Sequence, residues 1–258
     1  MAQAGPNPEV AYAVAIETSG RLGSVALSQG HRLIEAADLS AQQRHAVELL
    51  PVIASLFSNH RIDPSALAYV YVSAGPGSFT GLRVGMTVAR TLSWAAGANV
   101  VRVPTLDVVA QNAMDSEPPP SHVAVLLDAK RRHVFAATFE RRDDGYRRLT
   151  EPAEWDVAKL AATLPAHCAL LGEGIPYHAQ AVAATGLTVL PESFNRARAA
   201  VVHRLGYALA RQGRFEPTEK LVPIYVRRPE AEEVWEQRYR GKKGNKATRQ
   251  RGSEAAEP

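Results

Sequence analysis

Two segments carry residue types whose spacing could do chemistry. Ser73-Ala74-Gly75-Pro76-Gly77-Ser78-Phe79-Thr80-Gly81 follows an apolar run that reads as a strand and precedes a stretch of helical periodicity. At such a junction backbone N–H groups and the helix dipole favour an anion, and Ser78 and Thr80 would add hydroxyl donors. The same glycines, Gly75, Gly77 and Gly81, would also serve a merely tight structural turn. No Lys follows Gly81, so the Walker pattern is absent, and the glycine spacing misses the dinucleotide pattern by one. The second segment, Glu17-Thr18-Ser19, ends the first apolar run. An acid followed by hydroxyls at a strand–turn junction can hold a γ-phosphate or its metal ion, or simply brace the turn.

Other chemistry lacks the residues it needs. Asp107 and Asp128 follow strands, but neither has a partner carboxylate identifiable by spacing. The eight histidines fall singly, without HxxxH or HExxH, so no metal-ligand set is expected. His45, on a helix, reads as a partly buried hydrogen-bonding residue. No nucleophile elbow surrounds Ser78. Cys168 stands alone, which excludes an internal disulfide and a cysteine metal cluster. The expectation is a chain with no catalytic residue, no metal and no cofactor.

The elements that must position these segments can be read from periodicity. AYAVAIETS and GSVALSQG form a hairpin turning at Ser19 to Leu22, and HRLIEAAD completes a meander. Ser40 and Gln43 fit a capping box, and Ala46, Leu49, Leu50, Ile53 and Phe57 keep helical spacing. Pro51 within that helix should kink or split it. ALAYVYVSAG is a strand, and the helix after the glycine loop runs from Leu82 to Ala96, with Gly97 closing it. NVVRVPT and LDVVAQNAM add a strand and a helix. The resulting order implies a parallel crossover unit in a layered α/β lobe.

DSEPPPS at 115–121 reads as a linker between an N-terminal lobe (9–114) and a second lobe (122–228). The second lobe opens with VAVLLDA, HVFAATFE and a turn at DDG. It continues with ALLGEG and LTVL, separated by a helix near 177–184, and with a helix over 199–212. Two lobes that each open with a meander suggest a duplication.

The helix from Leu82 to Ala96 is apolar over an arc of about 200°, where about 100° covers a sheet. The excess implies a second neighbour, either the preceding helix of the same lobe or another chain. Val84, Val88 and Ala95 border a polar line of Arg83, Thr87, Arg90 and Trp94, and this edge is expected to face water in the free monomer.

Composition limits the partners. The chain of 258 residues is 46 % hydrophobic, enough for a substantial core, and its apolar runs are too short and too charged to span a membrane. Its start has no basic head before an apolar run, which with the lone cysteine sets the expectation of a cytoplasmic protein. Residues 237–252 hold seven Lys or Arg and no acid. Since the whole chain carries +4, the remainder carries −3. Residues 229–258 therefore read as a disordered basic tail. It is either a solubilising end or an electrostatic grip on RNA.

Together these segments resemble the TsaB family of the actin-like ATPase superfamily. The family's Asp-Thr-Ser is matched by Glu17-Thr18-Ser19, with Glu in place of Asp, followed by Val25-Ala26-Leu27. His45, Leu49 and Pro51 match a helix signature, and Gly75 to Gly85 carries Gly-Pro-Gly-Ser-Phe-Thr-Gly-Leu-Arg-Val-Gly unchanged. Asp128-Ala129-Lys130-Arg131, Gly172-Glu173-Gly174 and Pro223-Ile224-Tyr225-Val226-Arg227 match later signposts, so the resemblance covers about residues 11–228.

The resemblance implies a two-lobe actin-like (ASKHA, ribonuclease H-like) α/β fold and a non-catalytic subunit of tRNA threonylcarbamoyladenosine synthesis. Such a subunit pairs with a TsaD-like catalytic subunit, is joined by a TsaE-like ATPase, and meets tRNA through the complex. A homodimer would form when the partner is absent. The histidine metal ligands of TsaD correspond here to Thr105 and Val109. Thr18, Ser19, Gly75, Gly77, Ser78, Thr80 and Gly81 would then be a vestigial nucleotide loop. His45, Leu49, Ile53, Val84, Gly85, Val88 and Ala95 are the expected partner interface. The alternatives are a sugar or acetate kinase of the same fold and a stand-alone RNA-binding homodimer.

Overall fold

The computed structural model describes residues 6–39 and 45–227, and for His45 its backbone alone. The chain divides into two compact units, 1–224 and 225–258. The first carries every element below, and of the second only 225–227 are described. The capping box at Ser40 and Gln43 and the basic tail lie outside the described residues.

β1 (Tyr12–Glu17) is buried on both faces from Ala13 onward, as expected for a strand with helices on either side. It pairs antiparallel with β2 (Ser24–Gln29), which pairs with β3 (Arg32–Asp38). On its other side β1 runs parallel to β4 (Leu67–Ser73), and β4 to β5 (Asn99–Val103), giving the order β3-β2-β1-β4-β5. The second sheet repeats this plan. β6 (His122–Asp128) pairs antiparallel with β7 (Val134–Arg142), which pairs with β8 (Gly145–Arg148). β6 also runs parallel to β10 (Cys168–Leu171), and β10 to β11 (Thr188–Val189), while β9 (Ala153–Trp155) pairs β7. The order β11-β10-β6-β7-β8 is the first sheet's order again, so the duplication is visible in topology.

Side-chain alternation along each strand feeds different cores. Val14, Ile16, Val70 and Val72 face α1 (His45–Asn59) and α2 (Phe79–Ala96), through Leu49, Ile53, Met86 and Ala89. Ala13, Ala15, Tyr69 and Tyr71 point the other way, into a core shared with the second sheet and filled by α3 (Thr105–Gln111) and α6 (Ala199–Arg211). The far face of the second sheet is covered by α4 (Val157–Ala161) and α5 (Ala179–Ala183). Chain order and layer order differ here. α6 follows the second sheet in sequence yet packs on the first, and α3 packs on the second.

Of the two outcomes expected of Pro51, a split does not occur: α1 runs from His45 to Asn59 through the proline. Pro51 lies on the exposed side, so the carbonyl left without an amide partner is on the side open to water. β9 and α4 were not foreseen, because AEW is too short to show a period and α4 has only five residues. Asp156, which caps α4 by accepting from the amides of Ala158 and Lys159 at 3.0 and 3.1 Å, was the available signal.

Candidate functional site

Parallel pairing sets the ends of β1 and β4 side by side, and the two segments singled out in the sequence meet there. Ser78 caps α2, its Oγ accepting from the Gly81 amide at 3.2 Å. The Ser78 amide donates to the Ser19 carbonyl at 2.7 Å. The Gly75 amide donates to Thr105 Oγ1 at 3.1 Å, and the Thr105 amide returns a bond to the Gly75 carbonyl at 2.9 Å. Three of the amides that an anion would need, those of Gly75, Ser78 and Gly81, thus bind the chain's own oxygens.

The glycines have a packing reason. A Cβ at Gly77 would stand 2.5 Å from the Ser19 carbonyl oxygen, one at Gly81 2.0 Å from that of Thr18, and one at Gly85 2.3 Å from Thr18 Oγ1. Spaced four apart, they let the end of β1 lie directly against α2. This geometry favours the tight turn over the phosphate cradle. Thr18 and Ser19 are buried beneath the joint, while Thr80 is exposed on the first turn of α2.

Carboxyl groups surround the same joint. Glu17 is fully buried; its Oε1 accepts from the Ser19 amide at 2.6 Å and from Ser19 Oγ at 2.5 Å. Burial raises its pKa, against hydrogen bonds from Ser19 and Ser73, and the nearby Glu173 carboxylate raises it further. Glu173, which follows β10, is raised chiefly by burial as well, although its Oε2 accepts from the Arg21 amide at 3.3 Å. Its carboxyl lies 2.9 Å from where a Cβ on Gly20 would be. A polyphosphate here would face two carboxyl groups. Sequence reading marked Glu173 only as a family signpost, because its approach to Glu17 depends on the two sheets meeting.

Asp107 and Asp128, also singled out, lie apart from this pair in role. Burial pushes Asp107 up to about 6, opposed by Arg148 at 3.2 Å. Asp128 is partly desolvated, but bonds from Lys130, with Nζ at 3.0 Å, and from His178 at 3.3 Å hold it below the usual carboxylate range. Among the described residues, no group of three or more His, Cys, Asp or Glu gathers as a metal site.

The expected partner edge of α2 is corrected. Val88 is only 9 % exposed and belongs to the core with Leu49 and Ile53, and Gly85 is buried against Thr18. α1 packs on α2 and supplies the second neighbour that the wide apolar arc required. Of the seven residues assigned to the interface, Leu49, Ile53, Gly85 and Val88 face inward, Val84 is half-buried and Ala95 is exposed. The side chain of His45 lies outside the described residues. The apolar groups that do face water are different ones. Val47 (73 % exposed) and Leu50 (46 %) lie on α1, continued by exposed Pro51 and Ala54 at helical spacing, and Trp94 (87 %) lies on α2.

Comparison with known proteins bears on this geometry. A family model described as TsaD, tRNA N6-adenosine threonylcarbamoyltransferase, matches residues 39–235. The tRNA threonylcarbamoyladenosine biosynthesis protein TsaB of Bacillus subtilis is 28 % identical over 130 residues, covering 50 % of this chain and 56 % of that protein. Its Escherichia coli namesake is 30 % identical over 135 residues, covering 51 % and 56 %. The chain belongs to the TsaB family. The matched regions span little more than half the length of these curated relatives. An uncharacterised protein of Mycobacterium tuberculosis is 29 % identical over 228 residues, 86 % of this chain and 95 % of that one. The fold is shared with the structure of YeaZ from Pseudomonas aeruginosa, at a TM-score of 0.71 and 22 % identity over 83 % of this chain and 100 % of that one. The expected α/β architecture, two mixed sheets with helices, is therefore shared with that structure. No helix among the described residues is long and apolar enough to cross a membrane.

Proposed function

We propose that this chain takes part in tRNA threonylcarbamoyladenosine biosynthesis as a non-catalytic subunit. It pairs through the outer face of α1 and α2 with a TsaD-like catalytic subunit, is joined by a TsaE-like ATPase, and meets tRNA through the assembly. The observation that carries this reading is the water-facing row Val47, Leu50, Pro51 and Ala54 on a helix whose opposite side already fills the core. A helix that is apolar on both sides needs a second partner, and exposed apolar surface of this kind marks interaction sites.

The positions that the resemblance sets in place of the TsaD metal ligands, Thr105 and Val109, support the non-catalytic part. Thr105 is buried and its hydroxyl is bonded to the Gly75 amide, while Val109 is 1 % exposed within the central core. Neither side chain can replace an imidazole as ligand, and both have structural employment. Mixing the purified chain with a TsaD-like subunit tests the proposal. A complex in size-exclusion chromatography, and threonylcarbamoyl transfer to tRNA only when both are present, is the expected result. Transfer by the chain alone, or failure to associate, overturns it.

A further inference from the structure

We propose that His122 and His167 form a binding site for one borderline divalent transition-metal cation, of the class Zn2+, Ni2+ or Cu2+. The residues are 45 positions apart, and no sequence motif joins them. Strand pairing does: β6 and β10 run parallel, with His122 opposite Cys168, so His167 arrives beside His122 at the start of the strand pair. His167 Nε2 stands 3.1 Å from His122 Nδ1, with ring centroids 5.0 Å apart and planes inclined at 68°.

That separation suits a chelate. Imidazole nitrogens coordinate Zn2+ at about 2.0–2.1 Å. Two of them bound to one ion at right-angled to tetrahedral geometry are therefore about 2.9–3.4 Å apart. One of the two nitrogens, His122 Nδ1 or His167 Nε2, carries the proton of the hydrogen bond between them; a shift of that proton to the other nitrogen of the same ring, with a rotation of the rings, turns both lone pairs to one ion. Ser121 Oγ, 3.3 Å from His122 Nδ1, is the other polar group at that nitrogen.

The surroundings set the ion's class. Cys168 would be a soft ligand, but its thiol is buried in the core on the far side of the second sheet. Glu140 lies directly across from His122 on β7, but its carboxylate is held by Arg142 at 2.5 Å. The protein thus offers two nitrogen donors, leaving the remaining positions to water, and imidazole suits Zn2+, Ni2+ and Cu2+ rather than Mg2+ or Ca2+. Coordination would tie the start of β6 to the entry of β10, at the side of the second sheet that ends in the two-residue β11.

The test is titration of the full-length chain with Ni2+ and with Zn2+, read by calorimetry and by thermal melting. One ion per chain and a melting temperature that rises with metal concentration are expected. His167→Gln and His122→Gln should each weaken binding by about tenfold or more, since even groups behind a ligand cost that much. His60→Gln, which removes a histidine paired with Glu35 elsewhere, should leave it unchanged. Selective broadening of the His122 and His167 imidazole resonances by Cu2+ locates the ion even if a variant folds poorly. Absence of saturable binding, or binding that survives both His122→Gln and His167→Gln, overturns the proposal.

Discussion

Glu17 holds a carboxyl group with no access to water at the point where β1 meets α2. Its Oε1 accepts two bonds from Ser19, and burial favours the neutral form of the carboxyl. Because burial raises the folded-state pKa above the unfolded value, folding takes up a proton between the two values. Stability from this group is complete below the ordinary Glu range and is lost as pH rises through the folded-state pKa. Glu17→Gln keeps the accepting oxygen and cannot ionise. The variant should match the wild type at low pH and exceed it increasingly as pH rises, in urea denaturation compared at about pH 5 and pH 8. A difference independent of pH would mean that the carboxyl ionises as freely in the fold as in the unfolded chain. Asp107, pushed up to about 6 by burial, adds a loss of stability in the same direction as pH rises through about 6.

At the scale of elements, α1 and α2 divide their apolar residues between two uses. Val88 points into the core beside Leu49 and Ile53, whereas Leu50 and Trp94 point into water. Val88→Glu would bury an unpaired charge, which typically costs several kcal/mol, and should lower the melting temperature sharply. Leu50→Glu should leave folding within about 0.5 kcal/mol, as exposed substitutions do, and abolish association with a TsaD-like subunit. Thermal melts and size-exclusion chromatography of both variants check this; normal association by Leu50→Glu would remove α1 from the interface.

The sequence carried both helices, their strands and the capped glycine loop, because apolar period and turn chemistry are local properties. It placed the apolar arc of α2 but could not choose its occupant. That choice depends on α1 lying alongside, a contact set by the whole sheet. The same limit hid Glu173 beside Glu17 and His167 beside His122, each brought together by pairing between distant segments. It left the loop with two readings, since glycines that admit a phosphate and glycines that admit a neighbouring strand look alike in sequence.

For the whole molecule the open matter is charge. Without residues 237–252 the chain carries a net −3, and the carboxyl groups at the β1–α2 joint add no attraction for a polyanion. If tRNA is gripped electrostatically by this chain, the seven Lys and Arg of 237–252, with no acid among them, are the segment expected to do it. Each phosphate neutralised contributes about 0.7 to 0.9 to the slope of log affinity against log salt. Truncation after Arg228 should therefore weaken tRNA association with the assembled complex and reduce that slope by up to about 6. Every element of the first unit is retained, so the melting temperature should not move. Binding isotherms at several salt concentrations, with and without the segment, give the answer. An unchanged slope would assign these residues to solubility and leave tRNA contact to the partner subunits. Tight tRNA binding by the isolated full-length chain, lost on truncation, would instead favour a stand-alone RNA-binding protein over a scaffold that depends on its partners.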